Sequence, residues 1–210
     1  MNTTPSANDP TMPSATGRQP ASPVLPVILE RWSPRAFRDH PMAEAELLAL
    51  LEAARWAPSS HNSQPWRFAY ALRGDRHWDS FQGFCNTNNA RWAHAASALV
   101  LIASRTRFPN AKTGELEPAR MHTFDAGCAW GYLALQAAHE GWACHAMAGI
   151  ERDKARAGTG LPEDHELHCM VAIGKAGDPA GLPDDLRARE KISGRAELRT
   201  LARPGSFSGG

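Results

Sequence analysis

The sequence predicts an α+β domain, a sandwich of strands and helices, and three observations carry that prediction. Residues 98–103 form one continuous apolar run, Ala98-Leu99-Val100-Leu101-Ile102-Ala103, as expected of a strand buried on both faces. Leu47, Leu48, Leu50, Leu51 and Ala54 recur at helical spacing. Residues 122–139 mix Phe124, Leu133 and Leu135 with the small Ala126, Gly127, Ala129 and Gly131, which suits a long helix that packs closely.

The other elements follow in chain order. Residues 1–25 are rich in Pro, Ser, Thr, Ala and Asn and are expected to be a disordered tail, with residues 26–210 forming one folded domain. A basic start and an apolar stretch are both missing from the tail, so it does not read as a secretory signal. A short helix is expected over 24–30, carrying Val27, Ile28 and Leu29 inward. Glu44 and Glu46 open the next helix, where acids favour the N-terminal end, and that helix stops at Pro58. Trp66–Leu72 alternates as a strand and closes on Arg73-Gly74-Asp75. Residues 77–94 are mixed and contain helix. Residues 106–118 read as a loop or lid. Gly141 ends the long helix. A strand over 142–148, a helix from Arg152 broken at Gly158, and a strand over 168–173 ended by Gly174 complete the domain.

Composition narrows the function. A chain of 210 residues with a net charge of +1 fits one domain with a sizeable core and gives no sign of a nucleic-acid partner. Its apolar runs are too short to span a membrane. Cys85, Cys128, Cys144 and Cys169 form no C-x-x-C pair and fit reduced thiols in a cytoplasmic protein. His165 and His168 are spaced for a metal pair only if that region is helical, and it reads as a loop. No P-loop or nucleophile elbow is present.

Two short runs carry the chemistry. In Ala57-Pro58-Ser59-Ser60-His61-Asn62-Ser63-Gln64-Pro65-Trp66, hydroxyls and two carboxamides crowd one turn directly after a helix. Such a turn suits either a planar polar ligand or a hydrogen-bonded structural turn. In Arg31-Trp32-Ser33-Pro34-Arg35-Ala36-Phe37, two arginines and a serine offer donors for a phosphate, or a solvated basic patch.

Taken together, R-x-S-x-R-x-F, then an amphipathic helix, then A-P-S-S-x-N-x-Q-P-W resembles the FMN-dependent nitroreductase family, and the resemblance runs from about Pro26 to about Phe207. It implies a central mixed, mainly antiparallel sheet flanked by helices, in an intertwined homodimer with FMN at the interface. It implies phosphate binding by Arg31 and Ser33, with Trp32 between them at a variable position. Arg35 would lie near the pyrimidine edge of the flavin, where a fixed cation favours the anionic reduced ring. Pro58, Ser59, Ser60, Asn62 and Gln64 would touch the ring and ribityl chain, from the same subunit or the neighbouring one. Asn89 matches a flavin-contacting asparagine, with a helix cap as the alternative. The backbone N–H of Gly149 would face the flavin edge, and Arg195 would complete the phosphate site.

The implied reaction is hydride transfer from NADPH or NADH through FMN to an electron-poor small molecule such as a nitroaromatic or quinone, by ping-pong turnover. No protein side chain is needed as catalytic acid or base, and His61 is a variable position of its motif. This chain has Ala148 where many members carry an acid. Two alternatives stay open: the same fold with a specialised flavin reaction (flavin cleavage, dehalogenation or dehydrogenation), and a flavin-binding sensor without turnover.

Overall fold

The computed structural model describes residues 14–110 and 112–207. Its elements are α1 (Pro26–Glu30), β1 (Phe37–Arg38), α2 (Glu44–Arg55), β2 (Trp66–Leu72), α3 (Trp78–Gln82), α4 (Thr87–Ala93), β3 (Ala98–Arg105), β4 (Arg107–Pro109), β5 (Leu116–Pro118), α5 (His122–His139), β6 (Ala143–Met147), α6 (Arg152–Thr159), β7 (His165–Ala176), α7 (Asp184–Arg187) and α8 (Leu198–Leu201). This is an open sheet with helices, an α+β architecture, as the sequence predicts.

β7 is the centre of the sheet. It pairs with β3 along one edge and with β6 and β1 along the other, and β2 pairs with β3; each of these pairings is antiparallel. Alternation divides the core between the two faces. Leu99 and Leu101 join Phe81, Phe84, Trp92 and Met170 on the side of α3, α4 and α6. Val100 and Ile102 join Leu47, Leu50, Leu133 and Val171 on the side of α2 and α5. Both faces of β3 are therefore covered, which is why its sequence is unbroken in apolar residues.

Several sequence expectations need correction. In α1 only Pro26 is buried, and Ile28 is 45% exposed rather than turned inward. Residues 106–118 hold a β-hairpin, β4 on β5. α6 runs through Gly158 to Thr159, and Gly160 in the left-handed region (φ 63°) ends it. Gly158 is glycine for packing instead, since a Cβ there would lie 2.7 Å from Phe84 Cζ. β7 likewise starts earlier, at His165, and passes through Gly174, which lies under the Phe37 ring (2.8 Å from a Cβ to Cδ1). A glycine read as punctuation is, in both cases, a seat for an aromatic ring. Of the predicted tail, residues 1–13 lie outside the described residues. Within the rest, Thr16 donates to the Leu29 carbonyl and Arg18 to the carbonyls of Leu29, Arg31 and Ser193.

Candidate functional site

The loop between α1 and β1 carries the first motif. Arg31 donates to Ser33 Oγ (3.2 Å). Arg18 and Arg195 lie close enough to Arg31 that, after burial, their charges are the next cause lowering its pKa below the ordinary arginine value. Arg18 ties the group together, donating through Nη1 to the Leu29 and Arg31 carbonyls and through Nε to the Ser193 carbonyl. Arg195 donates to Ser193 Oγ and the Gly194 carbonyl. Among the described residues none of these three guanidiniums has a carboxylate partner. Three cations that repel one another beside a serine hydroxyl suit a phosphate-sized anion.

Trp32 and Arg31 line a cavity of about 150 Å³ with Ala138, Gly141, Trp142 and Cys144. Full burial pushes the Cys144 thiol up to about 12, so it is inert. Arg35 has a partner of its own. Its backbone N–H and that of Ala36 donate to Glu190 Oε1, and its guanidinium lies 3.5 Å from Glu190 Oε2. His145 on β6 contacts the Pro34 carbonyl through Nδ1 (3.0 Å). A carbonyl accepts only, so Nδ1 carries the proton. Burial, with Arg35 nearby, keeps the His145 pKa below its ordinary value.

Asn89 and Gly149 also meet. Asn89 Nδ2 donates to the Gly149 carbonyl (2.9 Å), which accepts from Asn86 N as well. A Cβ on Gly149 would lie 2.4 Å from Asn86 Nδ2 and 2.9 Å from Asn89 Nδ2, so only glycine fits between the two carboxamides. The cap of α4 is Asn86, whose side chain accepts from Asn89 N; the cap reading of Asn89 is therefore replaced by an anchoring role. Gly149 N–H donates to no acceptor among the described residues and is free for a ligand. Ala148 beside it is exposed.

The second motif is built differently. Its backbone is fixed: Gln64 N donates to Ser59 Oγ (3.0 Å), and Ser60 N donates to the buried carboxylate of Asp125 (3.1 Å). His61, Asn62 and Gln64 take positive φ (53°, 51° and 46°), a conformation costly for side chains other than Asn. Pro58, His61, Asn62 and Gln64 are exposed, Ser59 and Ser60 half-buried. His61 stacks on Phe108 of the β4–β5 hairpin (centroids 5.8 Å apart).

Position separates the two motifs. The second is tethered at Asp125 in the first turn of α5, whereas the cavity beside the first is lined by Ala138 near the last turn. At 1.5 Å per residue those points on α5 are about 20 Å apart.

Sequence reasoning missed Arg18, Asn86, Asp125 and Glu190. Asn86 had a readable signal, an Asn immediately before a helical segment. Arg18 sits in a stretch of low-order composition, and Glu190 in a charged segment without periodicity. Of the other histidines, His165 contacts Asp164 and His168 contacts Ser104, both from strand β7. Among the described residues, no group of three or more His, Cys, Asp or Glu is arranged for a metal ion, and no helix is long and apolar enough to cross a membrane.

The model of the nitroreductase family matches residues 28–82 and 71–175. A crystal structure described as an oxidoreductase containing FMN is 42% identical, covers 95% of this chain and 100% of its own, and superposes with a TM-score of 0.90. A Streptomyces coelicolor protein provisionally named an NADH dehydrogenase/NAD(P)H nitroreductase is 27% identical over 181 residues, 79% of this chain and 88% of its own length. A provisionally named nitroreductase of Exiguobacterium sibiricum in complex with FMN has the same fold, with a TM-score of 0.69, 22% identity and coverage of 89% and 99%.

Proposed function

This chain belongs to the nitroreductase family, and from that premise we propose that it is a cytoplasmic FMN-dependent oxidoreductase, passing hydride from NADPH or NADH through FMN to an electron-poor acceptor such as a nitroaromatic or quinone. The observation that carries the reading is the trio Arg18, Arg31 and Arg195 beside Ser33, cationic and, among the described residues, without a carboxylate partner. That donor set fits the phosphate of FMN. When bound, FMN supplies the redox chemistry, accepting and giving up two electrons.

The chain's own residues hold, orient and polarise. Arg31, Ser33 and Arg195 grip the phosphate, and Arg18 locks the three segments that present them. Arg35 sets the charge near the pyrimidine edge. Gly149 offers its backbone N–H, with Asn89 fixing that loop. Pro58, Ser59, Ser60, Asn62 and Gln64 contact the same ligand from a second copy of the chain. A span of about 20 Å along α5 keeps one copy from closing both motifs on one ring. The face that a second copy would cover is apolar and open: Leu48, Trp56, Phe124 and Tyr132 are 46%, 69%, 68% and 43% exposed. Beside it a groove of about 470 Å³ is lined by Leu48, Leu51, Gln64, Trp66 and Phe68. Small Gly127 and Gly131, with open space where a Cβ would stand, let another helix approach α5 closely.

The test is the visible spectrum of the purified protein under anaerobic NADPH or NADH. A yellow protein that bleaches, then recovers its colour with a nitroaromatic or quinone, is expected. A yellow protein that never bleaches would overturn the turnover, and a colourless protein that FMN cannot reconstitute would overturn the cofactor.

A further inference from the structure

Glu190 carries the one buried side-chain nitrogen or oxygen among the described residues that is left without a hydrogen bond. Its side chain is 1% exposed, and its Oε2 has no hydrogen bond. Oε1 accepts from both Arg35 N (2.5 Å) and Ala36 N (2.9 Å). Oε2 faces the Arg35 guanidinium at 3.5 Å, an ion pair without a hydrogen bond. The segment leading to Glu190 is firmly seated: Leu182 and Leu186 are buried, and Asp185 forms a two-pronged pair with Arg91 (2.9 and 2.6 Å).

Burying a carboxylate is costly unless its charge is compensated. A neutral carboxamide would accept the same two N–H bonds through its single oxygen. What it would not supply is the negative charge beside Arg35. We propose that Glu190 is a positioning residue that fixes the Arg35 loop and offsets the Arg35 charge, so that the reduction potential at this site is set by the Arg35–Glu190 pair and not by Arg35 alone. The inference rests on the FMN reading above. Near the flavin pyrimidine edge a lone cation stabilises the anionic reduced ring and raises the potential; a buried anion 3.5 Å from that cation opposes it.

Two measurements on the FMN-loaded protein test this: the dissociation constant for FMN by flavin fluorescence, and the midpoint potential by dye-coupled reduction. Glu190→Gln keeps the shape and the backbone bonds. It is expected to favour the reduced form at least tenfold, a rise of about 30 mV for a two-electron couple, with FMN affinity little changed. Arg35→Gln is expected to shift the potential the opposite way, because Glu190 is then uncompensated. Glu190→Ala, expected to raise the potential as well, carries the test if Glu190→Gln does not fold. An unchanged potential in either folded, FMN-binding variant overturns the inference while leaving the FMN reading intact. Wild-type protein that binds no FMN overturns both.

Discussion

The loop at residues 31–35 and the loop at residues 57–66 are both polar, both follow a helix and both sit at an end of α5, yet the chain treats them in opposite ways. Side chains from elsewhere hold the first: Glu190 under Arg35 and Ala36, His145 under Pro34, Arg18 across the Arg31 carbonyl. The second is pinned through its backbone, by Ser59 and Asp125, and leaves Asn62 and Gln64 in solvent at positive φ. On the proposed reading, the first loop is a finished half-site and the second presents its carboxamides, at positive φ, to a second copy of the chain. Backbone strain of that kind persists where the surroundings enforce it, and it concentrates at sites that bind.

The sharpest way to break this contrast is to remove the cations of the finished half. Arg31→Ala with Arg195→Ala is expected to weaken FMN binding more than a hundredfold, since each charge-assisted contact contributes about 1.5–3 kcal/mol. Thermal stability should hold or rise slightly, because repulsion among the arginines is relieved. Equilibrium dialysis and a melting curve read the two effects, and FMN affinity at the wild-type level would contradict the phosphate assignment.

The unfinished half is tested at its apolar surroundings. Phe124→Arg puts a charge on the exposed face of α5 and should weaken self-association by about 2–4 kcal/mol, the cost of losing a central interface aromatic. Sedimentation equilibrium of wild type against variant measures it. A variant that associates as tightly as wild type would mean that α5 does not face a second copy.

A smaller effect is expected where the first half meets Gly149. Gly149→Ala would push a methyl group against Asn86 and Asn89 and is expected to cost about 1–3 kcal/mol. FMN affinity should fall with it. Gly158→Ala, which crowds the Phe84 ring and not the two carboxamides, should cost similar stability and lower affinity less. Denaturant unfolding with and without FMN separates the pair.

The smallest effect is electrostatic. Burial holds the His145 and His168 pKa values below the ordinary 6.5. As pH falls through about 6.5 the unfolded chain takes up protons that the folded chain resists, so stability drops on that side and is fully present above it. Melting temperature should decline from about pH 8 to about pH 5.5. His145→Gln should make the decline shallower while keeping an N–H donor for the Pro34 carbonyl.

Much of this was legible in the sequence because burial leaves a periodic mark. β2, α5 and the double-sided burial of β3 follow from alternation, helical spacing and an unbroken apolar run. Glycines misled at 158 and 174, where the cause is an aromatic ring packed over the backbone, a contact distant in sequence. The residue types of both motif loops were readable. Their supports were not: Glu190 lies 155 positions from Arg35 and Arg18 lies 175 from Ser193, and no local pattern encodes pairings of that length.

The central claim, that the two loops act on one ligand from different copies, is tested most directly by complementation. One copy carries Arg31→Ala and Arg195→Ala, and a second, differently tagged copy carries Asn62→Ala and Gln64→Ala. Each alone should lose FMN. Their purified heterodimer contains one intact pairing, the first loop of the second copy with the second loop of the first, and should bind one FMN with wild-type affinity. A heterodimer that binds no FMN would contradict the claim and return both loops to a single chain.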